Sequence, residues 1–216
     1  PRASLPGLDS VLHQVARRMG DRVMYSSLDP DRRSSINRKA FELLEKARLV
    51  QRIQATSPAG LPLSANIHPK KFKAAMLDVG LMQRLCGVRS EAAIGQDDLL
   101  AIYRGRLAEQ FVAQELVAWH RPELFFWARE AKSSTAEVDF LTVKNGQIYP
   151  VEVKSGPSGR LRSLHLLLEA FPNCPTGIVL STGPHHELPE QRLTFLPLYA
   201  AATISDPRWD PCGPLL

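Results

Sequence analysis

The sequence lacks the features of a membrane, secreted or zinc-binding protein. No apolar run approaches the roughly 20 residues that span a bilayer, and no segment has the pattern of a signal peptide. The three cysteines, Cys86, Cys174 and Cys212, are scattered and odd in number, so they predict neither a disulfide framework nor a zinc site. We therefore expect a cytoplasmic protein without membrane association, because reduced cysteines are typical of that compartment.

A nucleotide-binding phosphate loop is also missing. No glycine is followed by lysine, so the motif G-x-x-x-x-G-K-[ST] does not occur, and we expect no ATP binding by this chain. The chain begins Pro-Arg-Ala-Ser rather than with methionine, from which we expect it to be a fragment of a longer protein.

Positive charge is concentrated in the first third of the chain. The formal net charge is +5, but residues 1–75 carry 14 basic and 6 acidic side chains, a net +8, and the remainder carries −3. A basic segment of this kind favours contact with nucleic acid. A solvated basic surface is the equally weighted alternative.

The first third has the pattern of a winged helix. Apolar residues recur with helical period over 8–19 and again through INRKAFELLEKARLV. RLVQRIQAT then predicts a strand, SPAG a turn and LPLSANI a return strand. Helices followed by a two-stranded ribbon are the layout of a winged-helix module, which we expect over residues 1–68.

From Lys70 the pattern changes to alternating strands and helices. We expect a short strand, a short helix, a long helix over 99–119, a strand at LFFWARE, a hairpin, a helix near 159–170 and two final strands. This order predicts an α/β (α+β) domain over residues 69–200, with a mixed sheet flanked by helices. The stretch SDPRWDPCGPLL predicts a loose tail within residues 201–216.

The hairpin is the most informative segment. Asn145-Gly146 between two apolar-rich runs is typical of a type I′ turn, which requires positive φ at both positions. With these as the central residues, Lys144 pairs with Gln147, and Asp139 is expected opposite Glu152. Because strand residues two apart share a face, Glu137, Asp139, Glu152 and Lys154 are predicted on one face.

Two opposed carboxylates in an otherwise apolar hairpin need a compensating cation. The hairpin is apolar on both faces, as in the middle layer of an α/β sandwich, and ionised acids lose hydration there. A Mg²⁺ or Mn²⁺ ion bridging Asp139 and Glu152 would compensate them, since these ions prefer oxygen ligands. The alternative is that both acids lie at a solvated sheet edge and pair with Lys154 or an arginine.

Glu109 is a further acid in an unusual position. In YRGRLAEQFVAQELVAWH it falls beside Val112, Ala113 and Leu116 at helical spacing, on the apolar flank of the predicted helix. Glu109 could therefore be directed at the same metal. The alternative is a satisfied carboxylate bonded to Arg129 or to a backbone amide.

Together these acids resemble the signature of the PD-(D/E)XK nuclease superfamily, which has a helical Glu, then an Asp, then Glu-X-Lys on the next strand. The matching residues are Glu109, Asp139 in EVDF and Glu152-Val153-Lys154 in PVEVKSG. More closely, residues 10–170 look like the C-terminal half of a prokaryotic AAA-type ATPase family that ends in a domain of unknown function (domain of unknown function 4143). The stretches that carry this resemblance are YSSLDPDRRSSINRKAFELLEKARLV, LPLSANIHPKKFKAAMLDVGLM, GRLAEQFVAQELVA, AEVDFLTVKNGQIYPVEVKSG and GRLRSLHLLLEAFP.

The resemblance implies a winged-helix linker before a restriction-endonuclease-like core, with an ATPase half upstream of Pro1. It also implies a metal-dependent nuclease acting on nucleic acid, expected to be DNA. Asp139, Glu152 and the Val153 carbonyl would hold Mg²⁺, with Glu109 directly or through water, and Lys154 would orient water or stabilise developing charge. Flanking candidates for phosphate contacts are Lys132, Arg160 and Arg162.

Two other functions remain open from the sequence. In the first, a nuclease-shaped module docks DNA or a partner and regulates the ATPase without cutting. In the second, the winged helix binds DNA and its affinity falls steeply with salt. The basic side chains expected to contact phosphates there are Arg32, Arg33, Arg38, Lys39 and Arg48.

Overall fold

A computed structural model describes residues 4–88, 101–120, 123–131, 134–156 and 160–205. The chain divides into two compact units that are each discontinuous in sequence. The first unit contains Pro1–Ile53 and Lys70–Gln114, and the second contains Gln54–Pro69 and Glu115–Leu216. The domain boundaries expected from the sequence, at 68/69 and 200/201, stay a prediction.

The first unit is mainly helical. Its helices are α1 (Leu5–Arg17), α2 (Tyr25–Leu28), α3 (Ser34–Lys46), α4 (Val79–Leu85) and the beginning of α5 (Ala101–His120). Helix α3 buries Ala40, Phe41 and Leu44 at the predicted spacing. The two predicted helices are confirmed, whereas the single turn of α2 was not predicted.

The predicted return strand of the winged helix is wrong. Strand β1 (Val50–Ala55) forms as expected, but Leu63–Asn66 is a 3₁₀ turn that follows Pro62. Proline cannot donate to a sheet ladder, and the Leu63 carbonyl accepts a 2.6 Å hydrogen bond from the Thr56 hydroxyl instead. The neighbour of β1 in the first unit is β2 (Phe72–Met76).

The second unit is built on a mixed sheet. Its strands are β3 (Leu124–Ala131), β4 (Ser134–Lys144), β5 (Gln147–Val153), β6 (Gly177–Ser181), β7 (His186–Leu188) and β8 (Leu193–Pro197). They are arranged in the order β3-β4-β5-β6-β8-β7. The pairs β3–β4, β4–β5 and β7–β8 are antiparallel, and β5–β6 and β6–β8 are parallel. The predicted mixed α/β class is confirmed.

The short elements near the C-terminal end were not predicted from the sequence. These are strand β7 and the 3₁₀ turns Pro189–Gln191 and Leu198–Ser205. Each is too short or too irregular to show a clear period.

One face of this sheet packs against helix α6 (Arg162–Ala170). Leu164, Leu167 and Leu168 of the helix are buried in an apolar cluster with residues of several strands. Burial of one such side chain stabilises the folded state by about 1.5–3 kcal/mol. No helix among the described residues has the length and apolar content needed to cross a membrane.

The hairpin register follows the prediction as far as the ladder extends. Asn145 and Gly146 have φ of 50° and 74°, as a type I′ turn requires. The paired residues run from Lys144 with Gln147 to Phe140 with Val151. Asp139 and Glu152 would be the next pair, but the ladder ends before them.

Candidate metal and catalytic site

Asp139 lies at a β-bulge in β4. Phe125 pairs with Leu141 and Trp127 pairs with Val138, so β4 advances three residues while β3 advances two. The extra residue falls in the interval that contains Asp139 and Phe140. A bulge interrupts the alternation of faces and re-aims side chains. The prediction that Asp139 shares a face with Glu137, Glu152 and Lys154 assumed regular alternation along β4. Strand geometry alone does not support that prediction at the bulge.

The Asp139 carboxylate bonds to the main chain of the next strand. The backbone N–H of Val153 donates to Oδ2 of Asp139 at 2.8 Å. In a continued ladder this N–H would meet a main-chain carbonyl of β4, and the aspartate takes that place. The bond fixes the carboxylate against β5, one residue from Glu152.

Glu152 lies in an interior strand, not at a sheet edge. From Val151 onward strand β5 pairs in parallel with β6, and Glu152 is in register with Val179. Facing residues of paired strands share a face, and Val179 belongs to the apolar cluster under α6. The Glu152 side chain is only 9% exposed, so the solvated-edge alternative is wrong for this acid.

Lys154 follows directly after β5 and pairs with Glu152. Its Nζ donates to Oε1 of Glu152 at 2.7 Å, and its backbone N–H donates to the Leu180 carbonyl at 2.8 Å. The lysine side chain is 25% exposed. The other part of the alternative, a pairing of the acid with Lys154, is thus observed.

Helix α6 begins beside the point where β4 and β5 separate. The backbone N–H of Glu137 donates to Oγ of Ser163 at 3.3 Å, which ties the first turn of the helix to β4. Asp139 and Ser163 therefore each accept a main-chain N–H at this fork. Sequence reasoning missed Ser163, although a serine in the first turn of a predicted helix is a usual hydrogen-bonding position.

The donor set of this site suits a hard divalent cation. Asp139 and Glu152 would contribute carboxylate oxygens from adjacent strands, and Val153, next to Glu152 in sequence, would contribute its main-chain carbonyl. Within the described ranges, no group of three or more His, Cys, Asp or Glu side chains is placed so that it could hold a metal ion. Water or substrate oxygens would have to complete the coordination, which is usual for Mg²⁺ because it keeps several waters.

Glu109 belongs to the first unit. Its Oε2 lies 3.8 Å from Nζ of Lys73, a β2 lysine that is 2% exposed, and the Glu109 side chain itself is 22% exposed. A Cβ on Gly20, where φ is +85°, would lie 2.9 Å from the same oxygen. If Glu109 is structural, its expected partner was Arg129 or a backbone amide, and Lys73 is a partner that was not expected. The metal-binding role of Glu109 stays a prediction.

Lys73 and Gly20 were missed in the sequence, although each leaves a signal. Lys73 is the charged residue in the apolar strand FKAAM, all of which is buried. Gly20 follows the end of α1, where a glycine commonly takes positive φ.

The basic candidates differ in their surroundings. Arg32 pairs with Asp29 and Arg38 with Glu42, both at 2.8 Å. Arg33, Lys39 and Arg48 are exposed in the first unit, as are Arg160 and Arg162 in the second, where they lie at the beginning of α6. Lys132 lies outside the described residues.

Comparison with known families finds two matches, one in each half of the chain. Residues 104–201 match a family described as Domain of unknown function (DUF4143). Residues 1–92 match a family described as Domain of unknown function (DUF8612). The resemblance of the second half to domain of unknown function 4143 is thereby confirmed.

No curated protein matches the sequence. Among solved structures the chain is similar to the crystal structure of protein VC1899 from Vibrio cholerae, with 12% sequence identity and a TM-score of 0.31. The similarity covers 93% of this chain and 49% of that one, so this chain spans about half the length of that protein.

Proposed function

We propose that this chain carries a metal-dependent nuclease-type domain that hydrolyses phosphodiesters of nucleic acid, DNA being the expected substrate. The observations that support the proposal are two bonds at the end of the β4–β5 ladder: Asp139 accepts the N–H of Val153, which lies between Glu152 and Lys154 in sequence, and Lys154 donates to Glu152. Two carboxylates and a lysine at one point of a sheet are the set that phosphodiester hydrolysis needs: metal ligands and a cation for developing negative charge.

Each residue of this site would have its own role. Asp139, Glu152 and the Val153 carbonyl would hold Mg²⁺ or Mn²⁺, which would polarise the phosphate and lower the pKa of a bound water. Asp139 is oriented in advance by the Val153 N–H. Lys154 stabilises charge that develops on the phosphate or orients the attacking water. Glu109 remains an additional acid proposed from the sequence resemblance.

The same proposal includes the larger context. The chain would be the C-terminal part of a cytoplasmic AAA-type ATPase whose ATP-binding half precedes Pro1. The helices α1–α3 with β1 would be a winged-helix-like module that lacks the predicted ribbon, and residues 69–200 would be restriction-endonuclease-like. Both assignments rest on the sequence resemblance.

A second function is favoured by a different observation. The Glu152–Lys154 pair compensates a buried carboxylate without any metal. Arg33, just before α3, and Lys39, within it, are also exposed. These features support a module that binds DNA and regulates the proposed ATPase without cutting.

Metal-dependent cleavage distinguishes the two functions. The protein is incubated with linear and supercoiled DNA in Mg²⁺, Mn²⁺ or EDTA, beside a Glu152→Gln variant. We expect cleavage in Mg²⁺ or Mn²⁺ and none in EDTA or in the variant. DNA binding without cleavage in any metal would support the regulatory module instead.

A further inference from the structure

We propose that Lys154 is a built-in counter-cation of this site and that a divalent ion must displace its ammonium group from Glu152 in order to bind. The inference concerns regulation of the proposed nuclease site, and it rests on the metal binding of that proposed function. It assigns Lys154 a role in the metal-free protein, in addition to the role in charge stabilisation.

The burial of Glu152 makes a counter-cation necessary. The carboxylate lies on an interior strand, 9% exposed, on the face that α6 covers. An ionised carboxylate loses most of its hydration in such a place and needs a charged or hydrogen-bonding partner there. The Nζ of Lys154 is such a partner at 2.7 Å, a short charge-assisted hydrogen bond. It therefore already occupies Oε1, one of the oxygens that would ligate a metal.

The Lys154 side chain can move away from Glu152 without disturbing the sheet. Its backbone N–H is bonded to the Leu180 carbonyl, so the main chain stays in place when the side chain moves. Its side chain is 25% exposed, against 9% for its partner. A lysine stem has four flexible carbons, and the ammonium regains hydration once it reaches water.

The Asp139 carboxylate cannot move away as easily as the Lys154 ammonium group. Its Oδ2 accepts the main-chain N–H of Val153, which belongs to the sheet. The site thus combines one carboxylate fixed by the backbone with one held by a movable cation. A divalent ion would therefore bind Glu152 by replacing the Lys154 ammonium group.

The exchange orders the events at the site. Once displaced, the ammonium is available for a phosphate group of the substrate. Metal binding would therefore precede the contact between Lys154 and phosphate, and the metal-free site would hold its lysine away from substrate.

Calorimetric titration with Mg²⁺ and Mn²⁺, combined with thermal unfolding, tests the inference. In Lys154→Met we expect a lower melting temperature without metal, because Glu152 loses its cation. Metal affinity should rise about tenfold or more, since one charge-assisted hydrogen bond no longer competes. Arg129→Gln, which removes an exposed charge in the same unit, should change the affinity less than about twofold.

A second variant keeps the test decisive if Lys154→Met does not fold. Lys154→Arg preserves the charge and can bind a carboxylate through two parallel N–H groups. We therefore expect weaker metal binding than in the wild type. Unchanged or weaker binding in Lys154→Met, or stronger binding in Lys154→Arg, would overturn the exchange.

The same measurements separate this inference from the nuclease function. Wild-type cleavage in Mg²⁺ with no gain of affinity in Lys154→Met overturns the exchange and leaves the function intact. A gain of affinity without any wild-type cleavage supports the exchange and counts against the nuclease. If neither the wild type nor Lys154→Met binds a divalent ion, the proposed exchange is wrong.

Discussion

The carboxylate of Asp139 accepts the main-chain N–H of Val153 across the β4–β5 hairpin at 2.8 Å. The bond forms where the β4–β5 ladder ends, beside the extra residue that β4 carries in its pairing with β3. Asp139 is therefore part of the sheet as well as a candidate metal ligand. Substitutions at this position have to separate the two roles.

Asp139→Ala and Asp139→Asn should differ in stability. The alanine leaves the N–H of the buried Val153 without this acceptor, which costs about 1–3 kcal/mol. The asparagine keeps an amide oxygen that can accept the same bond, so we expect a loss below about 1 kcal/mol. Denaturant unfolding measures both. Equal losses in the two variants would show that the charge of Asp139, rather than its acceptor, supports the fold.

Gly20→Ala should be more destabilising than Gly87→Ala. Both glycines have positive φ, +85° and +72°, so each substitution carries a backbone cost of about 1–2 kcal/mol. Only at Gly20 does the new Cβ meet another group, the Glu109 carboxylate at 2.9 Å, whereas space around Gly87 is open. We expect a further loss of roughly 1 kcal/mol at Gly20, measured by thermal unfolding. Equal losses would contradict this prediction and would show that the Glu109 carboxylate, the far end of a flexible side chain, moves aside at little cost.

Local sequence signals were sufficient for the hairpin and most regular elements. Asn145-Gly146 determines its own turn conformation and with it the register of five residue pairs. The helical period of α3 and α6 likewise depends on nearby residues. The spacing of Glu152 and Lys154 correctly suggested that the two side chains could meet, because residues two apart on a strand share a face.

Features that depend on distant residues could not be predicted in this way. The bulge at Asp139 is defined by the pairing of β4 with β3, and no signal within β4 indicates it. The pairing of Glu109 with Lys73 joins two elements far apart in the chain. The expected strand at LPLSANI had apolar residues in suitable number, but Pro62 and the Thr56–Leu63 hydrogen bond favour a 3₁₀ turn.

Cys174 should lower the stability of the protein at alkaline pH. Burial raises the pKa of its thiol from 9.0 to about 11, although the nearby Arg192 lowers it in part. As the pH rises, the unfolded chain therefore loses this proton before the folded protein does. The protonated thiol contributes fully to stability below pH 9, and this contribution is lost as the pH rises to about 11. We expect a decrease on the order of 1–2 kcal/mol over that range. Denaturant unfolding at several pH values should show a shallower decrease in Cys174→Ala, and an identical decrease would contradict the assignment.

DNA binding through the first unit should depend on particular basic side chains. Arg33 and Lys39 are exposed on or beside α3, whereas Arg38 is neutralised by Glu42. Arg33→Gln and Lys39→Gln should each weaken binding and reduce the slope of log K against log salt by about 1. The double variant Arg38→Gln/Glu42→Gln keeps the net charge and serves as control. Slopes that stay unchanged in all variants would contradict this binding surface.

The rate of DNA cleavage by Asp139→Asn tests the central claim most directly. This variant retains an acceptor for the Val153 N–H, so its fold should persist while a metal-ligating charge is lost. We predict metal-dependent cleavage by the wild type and a rate at least about a hundredfold lower in Asp139→Asn, at equal Mg²⁺ and at a temperature where both proteins are folded. Undiminished cleavage by the variant would contradict a catalytic site at Asp139, Glu152 and Lys154.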